Sequence, residues 1–372
     1  MRIALVSSNS FKSYGGIQNH VMGLYSYLKS KGHYVKIISP KFKNEKEINQ
    51  DHILLGKSIK LNVNGSMTDI VTFGKNDNIK KLLEKENFDI IHIHNPGIII
   101  SIHFLKNSST KNIITFHLLP DNSNMYKILK SPLNRLKKTN IYNKINGIIF
   151  VSNPVKKYFS RYFRCKKEVI PNGIDLSKYC SEDKIDKYVD GKKNILFVGR
   201  IEERKGLIYL IKAFEILKKT NKNIRLIVVG EGNLEKSCKN YVKKKKIEDV
   251  EFVGSVSEED KVKYFNTCDI FCAPSIFGES FGIVLLEAMA KGKPITGFAN
   301  NGYKNLLKGK MKKFLAKPKN YSSLAKKIKI LLKNEELRKE LGEYGKEEVK
   351  KYSWDIVGEQ IENFYKRILN EK

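Results

Sequence analysis

The sequence predicts an α/β protein of two doubly wound, Rossmann-like domains facing across a cleft. Three observations lead there. A chain of 372 residues exceeds one ordinary domain and suits two. Short apolar runs alternate with segments of helical period, the pattern of a parallel sheet covered on both faces. The alternation pauses once, at Ile170-Pro171-Asn172-Gly173-Ile174-Asp175, where Pro and Asn-Gly mark a turn, and then resumes.

In the first domain, residues 1–173, the opening Arg2-Ile3-Ala4-Leu5-Val6 is a strand rather than a signal peptide. Ile17, Val21, Leu24, Tyr25 and Leu28 recur at helical spacing. Gly32-His33 turns the chain into a strand over 34–39. Buried strands follow over 90–93, 113–116 and 147–151. The second domain, residues 174–351, carries strands over 194–198, 224–229, 250–253, 269–273 and 294–298, with helices between. Lys243 to Lys246 is a basic, solvated helix end. Residues 352–372 form an amphipathic helix with Ser353 as N-cap.

Composition narrows the function. No apolar run approaches the ~18 residues of a membrane span, and the longest candidate, 97–105, contains His103. The five cysteines lack metal-ligand spacing and fit free thiols in a reducing cytoplasm; no metal is expected. The net charge of +31 invites an anionic partner: nucleic acid, an anionic bilayer or a phosphorylated substrate. Lys, Asn and Ile abundance accounts for part of it. It does not account for 122–167, which holds no Asp or Glu yet carries Lys127, Lys130, Arg135, Lys137, Lys138, Lys144, Lys156, Lys157, Arg161, Arg164, Lys166 and Lys167. No nucleic-acid reader module is visible, so nucleic acid is not an expected partner.

The richest chemistry lies in Gly278-Glu279-Ser280-Phe281-Gly282-Ile283-Val284-Leu285-Leu286-Glu287. A buried strand closed by Pro274 precedes it, and helix formers follow Phe281. A helix start offers unpaired N–H groups and positive dipole to a phosphate. Glu279 stands before that start and Glu287 about one turn inside. Carboxylate, anion hole, carboxylate is the order needed for the sugar, diphosphate and ribose of a nucleotide sugar. A capped structural helix with a surface Glu is the plainer alternative.

Gly15-Gly16 follows the first strand and precedes its helix, where a ligand can approach backbone. It is not the Gly-x-Gly-x-x-Gly fingerprint, because position 19 is Asn. Gly199-Arg200 ends the second domain's first strand, and Lys205-Gly206 opens the next helix. An Arg fork and a Lys point charge suit a diphosphate leaving group. No Asp-x-Asp metal motif stands at a strand end, so these cations replace a metal. Thr115-Phe116-His117 ends a first-domain strand, which points His117 into the cleft. Of His92 and His94, one is expected inside and the other at the cleft edge.

Together these segments resemble a retaining glycosyltransferase of family 4 with the two-domain GT-B architecture, over nearly the whole chain. Gly15-Gly16-Ile17-Gln18-Asn19-His20-Val21, Asn64-Gly65-Ser66, Asp89-Ile90-Ile91-His92-Ile93-His94, Pro171-Asn172-Gly173-Ile174-Asp175 and Cys272-Ala273-Pro274 leading to Glu287 are similar to one branch, the phosphatidylinositol α-mannosyltransferases, which use GDP-mannose.

The resemblance implies that Gly16 lies at the diphosphate, His117 meets the donor sugar, and Arg200 and Lys205 clamp the diphosphate. It implies that Glu279 holds sugar hydroxyls, that Phe281, Gly282, Ile283 and Val284 present backbone groups, that Glu287 binds the ribose and that Val256 sits beside the base. It implies acceptor contacts at Gln18, Asn64 and His94, and a terminal helix that crosses back onto the first domain. No metal cofactor is implied; the nucleotide sugar is a cosubstrate.

A peripheral enzyme on the cytoplasmic membrane face is implied as well. Lys80, Lys81 and Lys85 share a short helix with Ile79, Leu82 and Leu83. Val155, Phe159, Tyr162 and Phe163 repeat at helical spacing among Lys156, Lys157, Arg161 and Arg164. The alternative is that both helices pack on the sheet with their cations in water. The chain departs from the branch where the acceptor is chosen. Asn9 replaces a Tyr, Asp69 stands where an Arg is expected, Gly97 replaces an Asn, and Arg200 to Lys205 is one residue shorter.

The expected activity is transfer of a hexose, mannose by this resemblance, to a lipid-linked or polyol acceptor. A UDP-sugar donor, a non-catalytic basic membrane or nucleic-acid binder on a decayed fold, and a paired-carboxylate glycosidase are the alternatives. The intact Glu279, Arg200 and Lys205 speak against decay, and phosphate-suited helix starts speak against a glycosidase.

Overall fold

The computed structural model describes residues 1–12, 15–63, 66–72, 78–94, 98–119 and 141–371. Asn64, Gly97 and the basic residues from Lys127 to Lys138 lie outside them. The chain divides into two compact units, Met1–Gly173 with Ser353–Lys372, and Ile174–Tyr352.

The first unit contains β1 (Arg2–Ser7), α1 (Gly16–Ser30), β2 (Tyr34–Lys41), β3 (His52–Val63), β4 (Ser66–Thr72), α2 (Ile79–Glu86), β5 (Ile90–His94), α3 (Ile98–Asn107), β6 (Lys111–Phe116), β7 (Ile145–Phe150), α4 (Asn153–Phe159) and β8 (Lys166–Val169). Its sheet runs β4-β3-β2-β1-β5-β6-β7-β8 and is parallel except where β4 pairs with β3. The chain leaves β1 through β2 and β3, then returns on the other side as β5. The order therefore reverses between β1 and β5, where a doubly wound sheet opens its ligand crevice.

The second unit contains β9 (Lys193–Val198), α5 (Leu207–Lys218), β10 (Ile224–Val229), α6 (Glu235–Lys245), β11 (Val250–Gly254), α7 (Glu258–Thr267), β12 (Ile270–Ala273), α8 (Ile283–Ala290), β13 (Ile295–Phe298), α9 (Asn301–Leu306), α10 (Gly309–Lys312), β14 (Leu315–Ala316), α11 (Tyr321–Lys333) and α12 (Glu335–Val349). Its parallel sheet runs β11-β10-β9-β12-β13-β14, reversing between β9 and β12. Ile224 to Val229 are buried throughout, as a central strand covered on both faces requires.

The last helix, α13 (Trp354–Leu369), belongs to the first unit. Its Val357, Ile361, Phe364, Tyr365 and Ile368 join Val21, Leu24 and Leu28 of α1 and Ile3, Ile90 and Ile113 of the sheet in one core. Close approach explains two glycines. A Cβ on Gly23 would stand 2.0 Å from the Trp354 indole nitrogen, and one on Gly358 would stand 2.4 Å from the Tyr27 ring. Ser353 occupies the N-cap position, but its side chain makes no capping hydrogen bond.

Two expectations need correction. His92 and His94 are both fully buried, neither at an edge. Residues two apart in a strand share a face, so both rings turn toward α1 and α13. The helix expected through Phe163 ends at Phe159, and Ser160–Tyr162 is a single 3-10 turn. Val155, Phe159 and Phe163 pack inward, with the Phe159 ring stacked 4.4 Å from Phe116. Arg161 and Arg164 face solvent, and Arg161 lies against the Tyr162 ring. On α2, Lys80 and Lys81 are exposed while Ile79 is buried, and Lys80 pairs loosely with Glu84 at 3.8 Å. What these segments offer outward is charge rather than an apolar stripe.

Candidate active site

The second unit gathers its charged residues at the β9/β12 reversal. After β9 the chain passes Gly199 and Arg200, makes a 3-10 turn over Glu203–Lys205 and enters α5 through Gly206. Gly206 has φ +68°, and a Cβ there would stand 2.2 Å from the Pro274 carbonyl oxygen. Only glycine fits, and that contact ties the basic turn to the end of β12.

The loop after β12 supplies Glu279, which is 7% exposed. Its Oε1 accepts three hydrogen bonds: from Lys205 Nζ at 2.6 Å, from Arg204 Nη1 at 3.0 Å and from Ser275 Oγ at 3.1 Å. Ser275 is itself held, since Tyr303 Oη donates to its hydroxyl at 3.0 Å and Asn300 Nδ2 donates to its carbonyl at 2.9 Å. Buried Glu202 lies 2.8 Å from Arg204 Nε and 3.3 Å from Arg200 Nη2.

Burial alone would raise the Glu279 pKa. Lys205 and Arg204, with the hydrogen bonds from Lys205 and Ser275, outweigh it and hold the carboxyl at about 2. Burial pushes the Lys205 ammonium down, and Glu279 restores part of the loss. Burial also works against charge on Arg204, but Glu279 and Glu202 more than compensate. The Glu279 carboxylate is thus ionised throughout the neutral range. Three cations against two carboxylates leave one net positive charge at a strand C-terminus, a setting for a diphosphate.

Gly282 is the N-cap of α8, in the left-handed region at φ 102°, and Ile283 begins the helix. Phe281 is buried, its ring edge-on to Tyr352 at 5.8 Å. Ile283 and Val284 are half-buried in the first turn. Glu287 lies in the second turn and is buried, and its Oε1 accepts from Lys261 Nζ at 2.9 Å. Lys261, on α7, also donates to Glu258 at 2.7 Å. Val256 is half-buried between β11 and α7.

Sequence reasoning missed Arg204, Glu202, Ser275 and Lys261. Arg204 was in view beside Lys205, but four consecutive charged residues do not reveal which side chain turns inward. Lys261 reads as one more lysine on a charged helix, and only the fold places it against Glu287.

The first unit gathers a second group at the β1/β5 reversal. Gly15 and Gly16 start α1, and the Gln18 amide donates to the Ser10 carbonyl at 2.8 Å. His94 ends β5, His117 follows β6, and both are buried. His94 Nδ1 and His117 Nε2 stand 3.2 Å apart. His20 of α1 packs edge-on to His117 with ring centroids 4.7 Å apart. His20 appears in the sequence motif, yet nothing in the sequence assigns it a role.

Two family models match the chain: Glycosyltransferase Family 4 over residues 14–178 and Glycosyl transferases group 1 over residues 181–348. A phosphatidyl-myo-inositol mannosyltransferase of Mycobacterium leprae is 28% identical over 371 residues, covering 99% of this chain and 97% of that protein. An uncharacterised glycosyltransferase of Methanocaldococcus jannaschii is 30% identical over 373 residues, covering 98% of each. Among solved structures, a sucrose-phosphate synthase from Thermosynechococcus elongatus superposes with TM-score 0.80 at 20% identity, covering 99% of this chain and 98% of that one. Anabaena HepE in complex with UDP and glucose gives 0.75 at 18%, covering 98% and 99%. With both halves matched, a full-length relative at 30% identity and the GT-B fold of its structural neighbours, the chain belongs to the family 4 glycosyltransferases.

Proposed function

We propose that the protein transfers a hexose, mannose from GDP-mannose, to a lipid-linked or polyol acceptor such as phosphatidylinositol at the cytoplasmic membrane face, with retained anomeric configuration. The observation that carries the donor class is the trio Arg200, Arg204 and Lys205 gathered with Glu279 at the β9/β12 reversal. The sugar and acceptor follow the name of the relatives matched end to end.

In this reading the diphosphate lies on the three cations and the N-terminus of α8. The three hydrogen bonds to Glu279 fall on Oε1, so Oε2 is the oxygen assigned to a sugar hydroxyl. The bond between the anomeric carbon and the phosphate oxygen breaks, and its electron pair stays on the diphosphate. The acceptor hydroxyl oxygen bonds to the same face of the sugar and passes its proton to a diphosphate oxygen. Fixed cations stabilise the charge that develops, the role a metal fills in other transferases. Gly16 and His117 toward the donor, Glu287 toward the ribose, Val256 toward the base, and Gln18, Asn64 and His94 toward the acceptor are assigned by resemblance. Peripheral attachment through Lys80, Lys81, Arg161 and Arg164 belongs to the same proposal.

The test is a panel of radiolabelled sugar nucleotides incubated with the protein and phosphatidylinositol vesicles. Label from GDP-mannose should enter the lipid phase. Label from a UDP-sugar instead would replace the donor, and label retained only on water-soluble products would replace the acceptor.

A further inference from the structure

We infer that the second unit carries a docking face for an anionic phospholipid bilayer, built from the lysines around β14. Between Glu287 and Glu335 the sequence holds thirteen lysines and no Asp, Glu or Arg. A general abundance of lysine explains the cations but not the loss of the acids. Six of these lysines, Lys304, Lys308, Lys312, Lys313, Lys317 and Lys319, fall within the link from β13 to α11, and all six are exposed.

The fold holds them on one margin. β14 ends the strand order of its sheet and pairs with β13. α9 and α10 carry the chain from β13 to β14, and Lys317 and Lys319 follow β14 before α11. Beneath them Tyr303, Leu306, Leu307, Met311, Phe314 and Ala316 are buried, so the cations stand on an anchored backbone rather than a loose tail. The face starts beside the candidate site. Tyr303 Oη donates to Ser275, Ser275 donates to Glu279, and Lys304 is the residue after Tyr303.

Nearby, the chain offsets its lysines. In α12 and the turn after it, Lys339, Lys346, Lys350 and Lys351 each meet a glutamate three or four residues away. Among the described residues, the link from β13 to α11 makes one ion pair, Lys310 with Glu340 of α12. The remaining cations repel one another, and a surface of opposite sign relieves that cost. Each lysine near an anionic bilayer is worth about a fivefold gain in binding. The form of the face selects a bilayer over nucleic acid. α9 and α10 span six and four residues, too short to read a groove. The aromatic between Lys304 and Lys319 is Phe314, 8% exposed, so it offers no platform on which a base can stack. A bilayer asks only for cations at a surface. This face is separate from Lys80, Lys81, Arg161 and Arg164 of the first unit and does not rest on the transfer reading.

The test is co-sedimentation of the full-length protein with phosphatidylglycerol–phosphatidylcholine vesicles at two salt concentrations, which reads binding without any transfer. The first variant combines Lys304→Gln, Lys308→Gln, Lys312→Gln, Lys313→Gln, Lys317→Gln and Lys319→Gln. The second removes the same charge from a stretch that also carries Glu215, Glu235 and Glu248, by Lys219→Gln, Lys222→Gln, Lys236→Gln, Lys243→Gln, Lys244→Gln and Lys245→Gln. All the replaced side chains are exposed, so neither variant disturbs the core. The first should lose at least about tenfold in vesicle affinity and show a shallower salt dependence, and the second should lose clearly less. Equal losses in the two variants would make net charge the cause and overturn the inference. So would absence of vesicle binding by the parent. Vesicle binding that survives in the first variant would overturn it too, and loss of single-stranded DNA binding beside it would give the face to nucleic acid.

Discussion

Lys205 Nζ donates to Glu279 Oε1 at 2.6 Å, joining the turn after β9 to the loop after β12 across the reversal of strand order. The pair fixes a cation and a carboxylate where a doubly wound sheet opens its crevice. A buried charge held this way is already oriented before a ligand arrives, which is how fixed charges lower a barrier without reorganising.

The same pair sets an acid limit. The Glu279 pKa falls from 4.5 to about 2 on folding. A depressed carboxylate contributes stability that is present above pH ~4.5 and is lost as pH falls toward 2. Glu279→Gln should therefore lose less stability than the parent across that window, as denaturant midpoints at several pH values will show. At neutral pH the variant should be less stable by about 3 kcal/mol, because Lys205 and Arg204 stay buried with one partner fewer.

Gly206→Ala places a Cβ into the Pro274 carbonyl in a left-handed conformation. The turn carrying Arg204 and Lys205 must then shift. The expected outcome is a stability loss of about 2 kcal/mol or more and weakened nucleotide binding, measured by urea unfolding and by titration calorimetry.

Tyr365→Phe removes the hydroxyl that meets His92 Nδ1 at 2.6 Å in the core. A buried imidazole nitrogen then has no partner, at a cost of about 1–3 kcal/mol. Urea unfolding should register that loss, and limited proteolysis should release the α13 segment more readily.

Charge removal at Lys80, Lys81, Arg161 and Arg164 together should weaken binding to anionic vesicles, each residue being worth about 1 kcal/mol near such a surface. The parent's binding should fall with added salt, and the variant's should depend on salt less. Sedimentation with phosphatidylserine vesicles at two ionic strengths measures both. Because Val155, Phe159 and Phe163 are spent on the core, the attraction should be electrostatic throughout.

The central strands were legible because they are apolar on both faces. Ile224 to Val229 and Ile90 to Ile93 cannot be solvated loops. Elements at or next to the sheet margins were not. β3 mixes Lys57, Ser58 and Lys60 into its run, β8 begins Lys166-Lys167, and β14 is two residues long, so none carries a buried-strand signature. Glu279 and Glu287 were legible from their spacing about a helix start. Arg204 was not, because a 3-10 turn decides which of Arg200, Arg204 and Lys205 reach the carboxylate, and local sequence does not encode that choice. The histidine cluster was hidden for a different reason. Positions 20, 94 and 117 become neighbours only through strand order, and of His92 and His94 only one was expected inside, whereas both are buried.

The account stands most directly on Glu279. Mannose transfer from GDP-mannose should be assayed in Glu279→Ala beside titration of the same protein with GDP. The expected result is loss of transfer with nucleotide affinity largely retained, since Arg200, Arg204 and Lys205 remain. Turnover at the parent's rate in that variant would contradict it.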